Sequence, residues 1–179
     1  MDLQDFDGSG LYFDGATDPA IARLLVEAGE QYGEGCAEAL LLRAQALAPD
    51  SLMVLVGLYR FYYYQHRYAD ALDIAFRAME VAGRELELPA SWQQIREPDL
   101  AAAASRGMGL LRFYLLALKG AGYLCLRLRR FEQGKAMLTR VAGLDPDNRL
   151  GARLLLEVLA SHNAEILPFP GAVTPEVHP

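Results

Sequence analysis

The chain has 179 residues, with 17 Lys and Arg against 23 Asp and Glu, a formal charge of −6 and an isoelectric point near 5.1. Ala and Leu supply 58 residues while Val, Ile and Thr together supply 15, which favours helix and excludes a β-rich fold. Two cysteines far apart, Cys36 and Cys125, exclude a disulfide framework or CxxC zinc site and predict a reducing compartment.

Residues 1–17 hold four Asp, three Gly and no base, the opposite of a signal-peptide start, and are expected to be irregular. No run of 18 apolar residues lacks a charge, so the expectation is a cytoplasmic, single-domain chain. From Asp18 a period of 34 residues takes over: Glu34, Ala37, Leu41, Ala44 and Pro49 recur as Tyr68, Ala71, Ala75, Ala78 and Gly83. The same pattern returns 63 positions later as Phe131, Gly134, Leu138, Val141 and Pro146, which is 29 more than one period. The register predicts helical hairpins at about 18–51, 52–85 and 115–148, with an insertion at about 86–114. Ala37, Ala71 and Gly134 are small enough for close helix approach, and Pro49 and Pro146 stop the helices before them.

Within the insertion, Ser91-Trp92 and Pro98-Asp99 both read as helix starts. The second extends the first helix of the third hairpin backwards, so that it runs from Pro98 to Leu128, about 31 residues and roughly 46 Å, with a kink at Gly107 or Gly109. Apolar residues at 150, 154, 155, 158 and 159 predict a closing helix over 148–160, with Asp147 or Asn148 as N-cap. The stretch 161–179, with Pro168, Pro170, Pro175 and Pro179, is expected to be irregular.

At these residues the chain resembles the tetratricopeptide repeat (TPR), a helix-turn-helix unit of 34 residues. The third copy carries it best, through Gly122, Leu128, the turn pair Arg129-Arg130, Phe131, Gly134, Leu138 and the closing Leu144-Asp145-Pro146. The second copy departs at Tyr59 and Gly83, and the first at Leu25 and Glu34. The resemblance implies an all-α, right-handed solenoid of about three hairpins plus a C-terminal capping helix, a non-catalytic module for protein–protein interaction. In runs such as Ser91–Ile95, Leu115–Gly134 and Leu144–Leu159 the sequence also looks like short bacterial TPR proteins found among nitrogen-fixation genes, accessories of nitrogenase maturation or protection. That likeness implies a partner from the nitrogenase machinery and no cluster held by this chain. In length and repeat number the chain is similar to the small TPR chaperones of bacterial secretion systems, at the level of architecture alone.

Searching for chemistry gives little. His66, His162 and His178 are isolated, and no HExxH, GxSxG, GxGxxG or P-loop pattern occurs, so neither an enzyme nor a cofactor or metal site is expected. His66 is read as a turn residue and Cys125 as a small core hydrophobe. Charge is more telling: residues 106–153 hold ten bases and three acids, so the rest of the chain carries −13.

In the TPR arrangement the first helix of each pair lines the concave face. Spacing then presents Met53, Val56, Arg60, Tyr63 and Tyr64 from the second repeat, Leu116, Lys119, Tyr123 and Arg127 from the third, and Arg153 from the last helix. Tyr62 is assigned to the core. A groove rich in Tyr, Arg and Lys suits an acidic or amphipathic segment of a partner protein. The Lys and Asn that clamp chaperone C-termini are replaced here by Ala22 and Val26, which argues against such tails. Two further readings stand beside the adaptor. One is RNA binding, against which the low isoelectric point counts. The other is self-association, with the acidic N-terminal segment in a neighbour's basic groove.

Overall fold

A computed structural model describes residues 18–32 and 35–164, with side chains to 161. The expectations for residues 1–17, for Glu34 and for the tail from 165 lie outside the described residues. Those residues form seven α-helices and no strand: α1 Pro19–Glu30, α2 Ala37–Leu47, α3 Leu52–Tyr64, α4 Tyr68–Glu85, α5 Glu97–Arg127, α6 Phe131–Leu144 and α7 Ala152–Ala164. Each helix packs chiefly on its neighbours in the chain, and α1 also touches α3. The all-helical class and the three predicted hairpin ranges therefore match the elements.

The internal offset of 63 is written into the backbone. His66 and Arg129, 63 apart, both adopt a left-handed conformation, with φ of 57° and 60°. Their turns close with the same pair of bonds, His66 N to Tyr63 O and Arg67 N to Tyr62 O in one, Arg129 N to Leu126 O and Arg130 N to Cys125 O in the other. Ahead of the two prolines, Ala48 and Asp145 share an extended geometry, with φ, ψ of −139°, 73° and −125°, 74°. Where Gly83 stands in place of the proline, nothing stops the helix, and α4 runs for 18 residues against 11 in α2 and 14 in α6.

Proline and glycine also account for α5. Pro98 sits in its first turn, where its missing N–H costs nothing, and the Arg96 amide donates to Asp99 Oδ2 at 2.7 Å. Gly107 is the kink, with non-helical φ, ψ of −175° and 99°; Gly109 stays within the helix. The Ser91-Trp92 start yields only a single 3-10 turn, Trp92–Gln94. By length and composition α5 is the one helix among the described residues able to cross a membrane, yet 67% of its apolar stretch is buried inside the molecule. It is the centre of the core, flanked by α4 and α6.

The closing helix departs from the spacing. It begins at Ala152, one turn late, and runs to Ala164. Asp145 explains the delay: buried, it accepts the Leu150 amide at 2.7 Å and holds 146–150 as a loop. Asn148, at φ 51°, still caps from a distance, its Oδ1 accepting the Arg153 amide at 3.2 Å.

Large apolar side chains fill the interior, with Leu55, Leu58, Leu72, Phe113, Leu118 and Leu124 almost wholly buried, each contributing about 1.5–3 kcal/mol. Exposed ion pairs tie the first hairpin to the second. Arg67 binds Glu38 and Asp70 at 2.7 Å each, and Arg77 and Arg84 share Asp50 at 2.5 and 2.8 Å. The Arg84 hydrogen bond, helped by Arg77, holds Asp50 below the usual carboxylate range.

The closest helix approach is α5 on α6. A Cβ at Gly134 would lie 2.7 Å from both Gly122 O and Leu126 Cδ2, closer than atoms can pack. Gly134→Ala should therefore cost about 1–3 kcal/mol and lower the melting temperature by roughly 3–10 °C. Gly143, also in α6, has nothing within 4 Å of such a Cβ, and Gly143→Ala should leave stability equal or raise it by up to about 1 kcal/mol. Calorimetry on the two variants checks both signs.

Candidate binding groove and tyrosine cluster

Helix α3 divides its side chains three ways. Leu52, Leu55, Tyr59 and Tyr62 go into the core, and Tyr62 takes the inward place that the sequence assigned to it. Met53, Val56, Gly57, Arg60, Phe61 and Tyr64 recur three to four apart and form one wall of a groove. Tyr63 lies on a third side, toward α5.

The groove encloses about 660 Å³. Its other wall comes from α1 and the residue beyond it: Leu25, Val26, Ala28, Gly29 and Tyr32, with Leu41 of α2 completing the lining. A Cβ at Gly57 would come within 3.1 Å of Leu41 and 3.4 Å of Leu25, so this glycine keeps the floor open. Tyr32 is braced edge-on against Phe61, with ring centroids 5.8 Å apart. Several lining residues are large, apolar and exposed, with Val26 at 61%, Tyr64 at 49% and Tyr32 at 40%. Arg60 is the one charged residue among those that line it. Such a surface buries apolar side chains and offers one cation to a carboxylate.

The second assembly joins three helices. Arg127 of α5 donates to Tyr123 OH at 3.0 Å and to Tyr68 OH of α4 at 2.6 Å, and its guanidinium lies 4.4 Å from the centre of the Tyr68 ring. Tyr63 packs against Tyr68 and Tyr123 with centroids 6.0 and 6.3 Å away. Tyr68 OH also meets His66 Nδ1 at 2.8 Å. Hydrogen bonding to Tyr123 raises the Arg127 pKa, so the guanidinium stays charged throughout.

The ten residues expected from the sequence thus divide. Met53, Val56, Arg60 and Tyr64 come together in the groove, and Tyr63, Tyr123 and Arg127 come together in the cluster. Lys119 is half-buried on α5, one turn before Tyr123. Leu116 is not presented at all. It is 2% exposed, inside a run from Phe113 to Leu118 that is buried on every side, because α5 is enclosed where a first helix was expected to show one face. Arg153 joins neither assembly: its side chain donates to Pro146 O at 2.9 Å and braces its own turn. The sequence reading missed the α1 wall altogether. Val26 was weighed only as a position where a clamp residue is lacking, although its i, i+3 relation to Leu25, Ala28 and Gly29 was the signal.

No chemistry of bond-making type assembles here. Among the described residues, no three of His, Cys, Asp and Glu gather as a metal ion requires. Burial pushes the Cys125 thiol up, opposed by Arg130, and leaves it a poor nucleophile. Cys36 is exposed. With Ellman's reagent the native protein should titrate one thiol quickly and the second only on unfolding; two fast thiols would contradict the burial of Cys125.

Fold and site together define an all-helical protein whose seven described helices pack in chain order, with an apolar, Arg-bearing groove between the first and third. It belongs to the family of an "uncharacterized 19.8 kDa protein in nifW 5′region" of Azotobacter chroococcum mcd 1, with which it is 66% identical over 179 residues, the full length of both chains. That relative's name places it in a nitrogen-fixation gene context. No family model matches the sequence, and no solved structure matches it.

Proposed function

We propose that the chain is a TPR-type solenoid acting without catalysis as an adaptor or assembly factor in nitrogen fixation, and that it captures an acidic or amphipathic segment of a partner protein. The observation that carries this reading is the α1/α3 groove of about 660 Å³, lined by apolar and aromatic side chains with Arg60 as its single charge. Its lining holds no carboxylate, His, Ser or Cys, and so nothing with which to move a proton or attack a substrate. The 34-residue period, the repeated turns at His66 and Arg129, and the Gly122–Gly134 contact support the TPR assignment. The nitrogen-fixation setting rests on the relative in the nifW 5′ region.

Selectivity follows from physical chemistry. Tyr32, Tyr64, Val26 and Phe61 bury the apolar side of the incoming segment, and Arg60 pairs with one of its carboxylates. The basic stretch 106–153 raises the encounter rate through its field; Arg129, Arg130 and Lys135 make no ion pair among the described residues.

Recovering the tagged protein from lysate of its native host at low salt, beside a Val26→Asp/Tyr64→Ala variant, tests the reading. Both positions are exposed, so the fold should persist. One partner should be depleted at least tenfold with the variant and weakened by added salt. An identical set of proteins on both baits would overturn the adaptor function.

A further inference from the structure

We infer that the α1/α3 groove has an occupant within the chain itself: the acidic segment 1–17, which docks there in cis and must be displaced by a partner. The inference rests on reading the groove as a segment-binding surface. Its argument is chemical complementarity joined to reach. The groove asks for apolar and aromatic side chains accompanied by a carboxylate, because its lining is apolar or aromatic apart from Arg60. Residues 1–17 supply Leu3, Phe6, Leu11, Tyr12 and Phe13, interspersed with Asp2, Asp5, Asp7 and Asp14, and no base that Arg60 would repel.

Reach favours the same molecule over a neighbour. The segment joins α1 at Asp18, whose Oδ1 caps the helix by accepting the Ala20 amide at 2.7 Å. Leu25, the first lining residue, lies only seven residues further on, about 10 Å along the helix axis. Seventeen residues extend to roughly 55 Å, several times that distance. A tethered segment of this length meets the groove at an effective concentration of order millimolar, which exceeds what a second molecule supplies at ordinary protein concentrations. Even weak complementarity then fills the groove in cis. The segment so acts as a competitor: only a partner that binds more tightly than the tether holds its own segment gains entry.

The test uses the full chain throughout. A fluorescein-labelled peptide of sequence 1–17 is titrated with wild-type protein and with a full-length Phe6→Ser/Phe13→Ser variant, and anisotropy is read. Both substitutions precede α1, so helicity by circular dichroism should be unchanged. Relieved of its own competitor, the variant should bind the peptide at least tenfold more tightly than wild type, and adding Arg60→Glu to it should remove that gain. Equal binding by wild type and variant overturns the inference, as does no binding by either. A dimeric mass in light scattering that falls to the monomer in the Phe6→Ser/Phe13→Ser variant overturns it too, since it assigns the segment to a neighbour's groove. The outcome separates from that of the adaptor reading: partner capture with no peptide binding removes the cis occupant alone, and peptide binding with no partner lost in the pull-down removes the adaptor alone.

Discussion

A helix enclosed on all sides has no face left to offer a partner, and α5 is such a helix from Phe113 to Leu118. The small residues around it make this possible. Gly122 faces Gly134 at a distance that excludes even one methyl group, and Gly83 of α4 sits 3.3 Å, at the position of a Cβ, from the ring of Tyr114. Burial pushes the Tyr114 hydroxyl up to about 12, a mark of how dry this region is. Because the middle of the molecule is closed in this way, an open surface can form only where a helix has fewer neighbours. That place is the α1 end, where α1 meets α2 and the edge of α3 and leaves a groove between them.

The tyrosine cluster plays a different part from the groove. Arg127 spends its donors on Tyr123 and Tyr68, and the rings of Tyr63, Tyr68 and Tyr123 meet around it. These contacts bridge α3, α4 and α5 at the end of the molecule where the His66 and Arg129 turns lie. Exposed cation–π contacts are worth about 0.5–1 kcal/mol each, so the cluster fixes the relative placement of the hairpins more than it supplies stability. The groove holds a single cation and much apolar area; the cluster holds its cation already engaged.

How far the sequence carries the reader can be judged residue by residue. Pro49, Pro146, Gly107 and the pair Gly122 and Gly134 act through sterics that are local or periodic, and these are legible because a ring that fixes φ or a missing Cβ has the same effect in any context. Tyr62 was legible as core from its neighbours in a helical run. Leu116 was not, since its exposure depends on what lies over α5, a property of tertiary packing rather than of spacing. Arg153 and the late start of α7 were hidden by Asp145, a buried acid whose bond to the Leu150 amide competes with helix formation. The α1 wall was missed because the family pattern drew attention to absent clamp residues at 22 and 26 and away from the apolar stripe that is present.

The break at Gly107 has a thermodynamic side. Its extended backbone interrupts the ladder of bonds that would otherwise make 31 residues one cooperative unit. Upstream, between Glu97 and Arg106, only Ala103 is fully buried, whereas downstream the helix is the most deeply packed element of the molecule. The two halves therefore belong to different classes of amide hydrogen exchange, the first opening at low free energy while the second exchanges only with the global fold. The long central helix behaves as a short, separable arm attached to a rigid post.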